Sequence, residues 1–356
     1  MTEYGTLGET LRDVDRAFTD LPRWDELIRR AREADLLGTL AYRLEAAGQL
    51  QAVPPAPRRH LESAAVLGVA QHRAVAREVR EILRAIDGLG VSLILLKGAA
   101  YLIANLPPAR GRLFSDVDIL VPKAALPAVE SRLMLAGYAT THHHPYDQRY
   151  YRRWTHELPP MQHIKRLTVV DVHHAIVPET ARTHPDTPEF FRAALPVAGW
   201  PGVAVLAPTD MVLHSATHLF HNEEFTHGLR DLVDIDQLLR HFSTEPSFWT
   251  ALTARAIRMD LARALYYACR LTTRLLGTPI PPAVMEAIAR HAPPTLIAAM
   301  MDRLLFAGLR PTAGMRSTRL ARRLLYLRGH WLKMPLPLLA WHLTVKSLRR
   351  EEHQPA

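Results

Sequence analysis

The sequence predicts an α/β core set between an N-terminal and a C-terminal helical region. Three observations carry this reading. Residues 7–88 place apolar side chains at three- and four-residue spacing, the period of a helix with one buried face. From Val91 the pattern changes to short apolar and alternating runs, which suit strands. From Pro208 onward the helical spacing returns. The boundaries follow as residues 1–88 for the N-terminal helical region, 89–206 for the α/β core, and 207–356 for a C-terminal helical domain with a basic tail.

Each element has its own signal. Trp24-Asp25-Glu26-Leu27-Ile28 opens a helix expected to run through Ala47, with Gly48 as its stop. Pro54, Pro55 and Pro57 punctuate the chain before a long helix over about 58–86, closed by Asp87-Gly88-Leu89-Gly90. Residues 91–96 are a short apolar run that fits a buried strand, and 97–106 a short helix ended by Pro107-Pro108. Residues 116–121 read as a second strand and 124–136 as a helix, with Gly137-Tyr138 turning into a third strand. Residues 149–157 and 167–176 are expected as further strands, the latter β-branched and alternating through Thr168, Val169, Val170 and Val172. Thr209-Asp210 offers a cap for a helix over 211–222. Further helices are expected over 229–242, 249–276, 282–291 and 295–307, and residues 316–350 are basic and apolar, interrupted by Pro335 and Pro337.

Composition narrows the function classes. With 356 residues, 48% hydrophobic and 22% charged, the chain has room for two or three subdomains and an ordinary core. A single cysteine, Cys269, excludes an internal disulfide and favours a reducing compartment. The first ten residues have neither a basic start nor an apolar centre, so no signal peptide is read there and a cytoplasmic location is expected. No run of about 18 uninterrupted apolar residues predicts a membrane span. The net charge of +9 is uneven: residues 301–356 hold 11 Lys/Arg against 3 Asp/Glu. Such a tail suits contact with nucleic acid, an acidic partner or an anionic surface. Near-balance elsewhere argues against a protein that coats nucleic acid along its whole surface. Arginine outnumbers lysine 39 to 5, as GC-rich coding produces, so arginine content alone carries little functional weight.

The chemistry concentrates in one stretch. Asp116-Val117-Asp118 precedes the apolar Ile119-Leu120-Val121, so both carboxylates share one face of a strand. Like charges held this close repel, and a divalent cation is the commonest reason to keep both ionised. Asp171, in the 167–176 strand with His173 on the same face, is the best third carboxylate. Two-metal phosphoryl chemistry uses such a set, two carboxylates on cations and a third near the attacking hydroxyl. Asp116, Asp118 and Asp171 are therefore the candidate catalytic and metal-holding residues, for Mg²⁺ or Mn²⁺. Lys97 ends the first strand and supplies positive charge to phosphate oxygens, Gly98 lets backbone approach them, and Arg112 and Ser115, in the entering loop, are further candidates for binding phosphate.

These motifs resemble a known family. Leu96-Lys97-Gly98-Ala99, Arg112, Ser115-Asp116-Val117-Asp118-Ile119-Leu120-Val121 and Val170-Asp171-Val172-His173 look like the uncharacterised bacterial nucleotidyltransferase family of the DNA polymerase β superfamily. Trp24 and Ala31 are similar to its helical lead-in, and His218, His221 and Leu229-Arg230-Asp231-Leu232-Val233-Asp234 to its later helical segment. The resemblance covers roughly residues 20–240. It implies a nucleotidyltransferase fold with a small mixed sheet, a divalent metal, and transfer of a nucleoside monophosphate from an NTP with release of pyrophosphate. Gly98 is followed by Ala99 where the superfamily usually has Gly-Ser, and His174 stands where the family often has an aromatic.

Other clusters weigh less. Asp234-Ile235-Asp236 lies in a helical pattern, where residues two apart point about 200° away from each other and cannot share a cation. Asp231 and Asp234 share a face that can line a cleft. His142-His143-His144 reads as a solvated loop, and His214, His218 and His221 as one partly buried helix face. Trp331 and Trp341 are expected to pack against the C-terminal helices. The partners expected are thus an NTP and an acceptor that the sequence does not identify: a small molecule, a protein or an RNA. Two alternatives stand beside transfer to such an acceptor, a non-catalytic nucleotide-binding or regulatory protein and an RNA-modifying toxin-type nucleotidyltransferase.

Overall fold

Seven short strands, among the described residues, form one mixed sheet: β1 Leu93–Leu95, β2 Asp116–Leu120, β3 Tyr138–Thr140, β4 Met161–His163, β5 Val169–His173, β6 Leu195–Pro196 and β7 Val203–Val205. The structure is a computed structural model that describes residues 5–13, 21–141, 148, 150–151, 154–221, 224–311, 315–337 and 339–341. Across the sheet the order is β3-β4-β5-β2-β1-β7-β6. β2 runs parallel to β5 and antiparallel to β1, and β1 runs parallel to β7. The mixed sheet and its flanking helices agree with the expected α/β core.

Alternation along β2 and β5 divides the sheet into two chemistries. Val117, Ile119, Val170 and Val172 are at most 2% exposed. Each such burial is worth ~1.5–3 kcal/mol, enough to fix the strand register. Asp116, Asp118, Asp171 and His173 alternate with them and take the opposite face. The register pairs Asp118 with Asp171 and Leu120 with His173.

The helical regions surround this sheet. Helices Leu21–Glu33, Leu37–Ala46 and the 31-residue Pro55–Ala85 precede it, and Pro208–His221, Gly228–Phe242, Phe248–Arg258, Ala262–Leu276, Thr295–Leu309 and Arg316–Lys333 follow. One continuous apolar cluster runs from Leu7 to Leu325 and joins all three parts of the chain. Backbone contact also fixes the loop before β2. Gly38 and Gly111 lie so close that a Cβ on Gly38 would sit 2.2 Å from the Gly111 carbonyl oxygen, and Gly111 has φ +72°. Only glycine fits either position. Among the described residues, no helix is long and apolar enough to cross a membrane.

Several expected elements differ. The helix expected from Trp24 to Ala47 breaks at Asp35, and that over 249–276 breaks at Asp260; both aspartates have positive φ, +54° and +56°. In each turn the next N–H reaches back to a helix carbonyl, Leu36 to Ala31 and Leu261 to Ala256. Short polar side chains tolerate that conformation, so an aspartate inside a periodic run hides a boundary. Within 149–157, Tyr150, Tyr151 and Trp154 are helical, not extended. The Tyr150 and Trp154 rings meet at 6.2 Å, the i, i+4 contact of a helix face. Asp210 does not act as a cap: it is fully buried inside Pro208–His221 and accepts two hydrogen bonds from Arg255, at 2.7 and 2.8 Å. The strands β4, β6 and β7 were not anticipated. His142-His143-His144 and residues 342–356 of the basic tail lie outside the described residues.

Candidate active site

The turn that follows β1 places the first functional side chain. The Leu96 N–H donates to the Asp118 carbonyl oxygen, and Lys97 then takes a left-handed backbone, φ +44°. Its Nζ lies 2.8 Å from Asp118 Oδ1 and 3.2 Å from His218 Nε2. On the other side of Asp118, His173 Nε2 lies 3.0 Å from the same Oδ1, and His173 Nδ1 lies 3.2 Å from Glu157 Oε2. Asp118 is 3% exposed. Burial works against its charge, yet Lys97 and the His173 hydrogen bond hold it well below the usual carboxylate range.

Asp171 behaves oppositely. Burial, followed by the charges of Asp118, Glu157 and Asp116, pushes its carboxyl up to about 8. Its Oδ1 is enclosed and has no hydrogen-bond partner. Burial and the Asp118 charge also raise Asp116, whose carboxylate receives a hydrogen bond from Ser115. The three carboxylates therefore resist ionising together, and a cation beside them would relieve that repulsion.

All eight residues singled out from the sequence line one cleft of about 380 Å³: Lys97, Gly98, Arg112, Ser115, Asp116, Asp118, Asp171 and His173. That volume falls within the ~300–1,000 Å³ of small-molecule sites. Their surroundings refine the expected roles. Arg112 is buried and its Nε lies 3.0 Å from Asp234 Oδ2, so a wall aspartate already engages its guanidinium. Beside Gly98, a Cβ would meet Phe114 and Arg112 at 2.9–3.0 Å, so the missing side chain admits those two residues. Asp231 lines the cleft, whereas Asp236 turns away to Arg240 and Thr278. The second DxD is thus split between two sets of partners. Burial holds both His214 and His221 down at about 3, and the Lys97 and Arg328 charges, respectively, add to it. His218, also lowered by burial and by Lys97, accepts from the ammonium as a neutral ring.

Sequence reasoning missed other cleft residues, among them His156, Glu157 and Lys333, and gave Arg230 no role of its own. Glu157 forms an isolated bridge to His173, a long-range pairing with no local signal. Lys333 comes from the last turn of Arg316–Lys333, whose end is tied down by Thr180 donating to the Lys333 carbonyl and Arg182 to that of Trp331.

A family model described as an uncharacterised nucleotidyltransferase matches residues 20–277. The chain belongs to that family. No curated protein and no solved structure matches it. Every cleft residue of this nucleotidyltransferase family member lies inside the matched span except Lys333, which the Arg316–Lys333 helix adds from outside it.

Proposed function

We propose that the protein transfers a nucleoside monophosphate from an NTP to a hydroxyl acceptor in the cytoplasm, with release of pyrophosphate. The observation that carries this reading is the convergence of Asp116, Asp118 and Asp171 from two paired parallel strands, with one enclosed Asp171 oxygen lacking any partner. Hard oxygen donors whose charges repel one another fit a divalent cation such as Mg²⁺ or Mn²⁺, and these three carboxylates would hold it. When bound, such an ion offsets charge on the phosphates.

The chain's own residues perform the rest. Lys97, Arg230 and Lys333 bring positive charge to the cleft and bind the phosphate oxygens. The acceptor oxygen attacks the α-phosphorus, the bond to the bridging oxygen breaks, and pyrophosphate leaves with that electron pair. Asp171, in its ionised form, takes the acceptor proton at its carboxylate. His173 and Glu157 keep Asp118 oriented. Positioning and charge complementarity supply most of the acceleration in such a step. A neighbouring cavity of about 720 Å³, lined by Lys123, His174 and Phe191, shares Val177 and Pro178 with the cleft and offers the acceptor room.

One observation favours a second reading, nucleotide binding without turnover: the Lys97 ammonium sits on Asp118, the carboxylate a cation needs most. Incubation with each α-labelled NTP, Mg²⁺ or Mn²⁺, and fractionated cell extract separates the two. Transfer predicts label in an acceptor fraction and one pyrophosphate per label, both lost in Asp118→Ala. NTP binding with no pyrophosphate and no labelled product under any condition would overturn the transfer reading.

A further inference from the structure

Two imidazoles and a carboxylate meet beside the aspartate cluster. His173 sits between two carboxylates, with Nε2 3.0 Å from Asp118 and Nδ1 3.2 Å from Glu157. A neutral imidazole has a single N–H. Donated to Asp118, it leaves the Nδ1 lone pair facing the Glu157 carboxylate, acceptor against acceptor. His156 adds a second imidazole, its ring centroid 5.4 Å from that of His173. The His156 Nδ1 is enclosed and has no hydrogen-bond partner. One ligating atom from each of His156, Glu157 and His173 lies within 4.8 Å of the others.

The backbone fixes this arrangement. Glu157 bridges His173, the Leu158 N–H donates to Val172, and the His174 N–H donates to His156.

We propose that His156, Glu157 and His173 bind a divalent transition-metal ion, Zn²⁺ or a cation of like preference, at a site separate from the three aspartates. Two imidazoles and one carboxylate suit such an ion better than they suit Mg²⁺, which prefers oxygen. The Nε2–H donated to Asp118 is the outer hydrogen bond that metal-bound histidines characteristically make. Three protein ligands leave a coordination position free, and all three line the cleft. The inference does not depend on nucleotidyl transfer, because it concerns binding alone.

Co²⁺ is the probe. The full chain, stripped with chelator, is titrated with Co²⁺ while visible absorption and bound metal are measured. One Co²⁺ per chain is expected, displaced by Zn²⁺ and retained in a large excess of Mg²⁺. His156→Ala and Glu157→Gln are each expected to weaken Co²⁺ binding by more than ~100-fold, beyond the loss from removing an outer partner. Asp116→Ala is expected to leave it unchanged, which separates this site from the aspartate cluster. Circular dichroism identifies any variant that fails to fold, and the other then carries the test. Absence of stoichiometric Co²⁺, displacement by Mg²⁺, or loss in Asp116→Ala with retention in both His156→Ala and Glu157→Gln would overturn the proposal.

Discussion

Asp171→Asn is expected to stabilise the metal-free protein while abolishing its activity. In the folded chain the Asp171 carboxyl stays protonated up to about 8, against an ordinary value of 3.8. The folded state therefore holds a proton that the unfolded chain has released, so Asp171 costs stability progressively as pH rises from about 4 through about 8. At pH 7 about three pH units separate the solvent from the ordinary carboxyl value, each worth ~1.4 kcal/mol, an upper bound of ~4 kcal/mol. Asp171 keeps partial contact with the cleft. Solvent screening there lowers the expected gain to ~2 kcal/mol. Asparagine keeps the shape and removes the titration, so the gain should vanish near pH 4, grow with pH and level off above 8.

Thermal melts in EDTA at pH 4, 6 and 8, with wild type and variant side by side, measure this directly. A gain of ~2 kcal/mol corresponds to a rise of a few degrees for a chain of this size. Adding Mg²⁺ and NTP should invert the order. Ligand at 100 times its Kd stabilises the wild type by ~2.7 kcal/mol, while the variant, short of one carboxylate, gains much less. An Asp171→Asn protein that melts at or below the wild-type temperature in EDTA at pH 8, with an intact spectrum, would show that Asp171 is not held against its own charge. The argument for a cation at this point would then fail.

Asp116→Ala should remove label transfer from NTP below detection with the circular dichroism spectrum retained; Asp118→Ala should do the same but lower the melting temperature, since it strips Lys97 and His173 of their shared buried partner. Arg112→Ala leaves Asp234 buried without its partner, and chemical denaturation should show a loss of ~3–5 kcal/mol. The double replacement Arg112→Met, Asp234→Leu should recover most of that loss. Gly38→Ala forces a methyl into the Gly111 carbonyl and should cost ~1–3 kcal/mol. Because Arg112 directly follows Gly111, nucleotide binding should weaken in the same variant.

The carboxylate face was legible because its signal is local. Asp116, Asp118, Asp171 and His173 lie on strands whose apolar alternation states which side each residue faces. A parallel pairing of β2 with β5 then suffices to bring them together. What could not be read depends on long-range contact or on strands too short to alternate. β6 and β7 have two and three residues, although β7 pairs with β1 and β6 forms the edge beyond it. Glu157 reaches the site through a single bridge, and Lys333 from the end of a helix far beyond β5 in the chain, tied down by Thr180 and Arg182. Asp35 and Asp260 ended helices inside runs whose apolar period continued unbroken. A capping residue by type, Asp210 proved to be half of a buried ion pair, because Arg255 from another helix outbids a local backbone bond.

Lys97 shows why the Lys-Gly order matters. Its φ of +44° is a conformation that costs a residue bearing a Cβ ~1–2 kcal/mol. Glycine would relieve that strain but would leave Asp118 without its 2.8 Å ammonium contact. The next position cannot take the lysine instead, because Phe114 and Arg112 fill the space beside Gly98. Strain at residue 97 is thus held in place by contacts on both sides, the pattern found where backbone distortion serves a site. On the transfer reading, the same ammonium keeps Asp118 ionised before substrate arrives and moves to the phosphates afterwards. That exchange frees Asp118 for the cation at the moment the nucleotide brings it, so the metal-free pairing of Lys97 with Asp118 and a catalytic role for both are compatible.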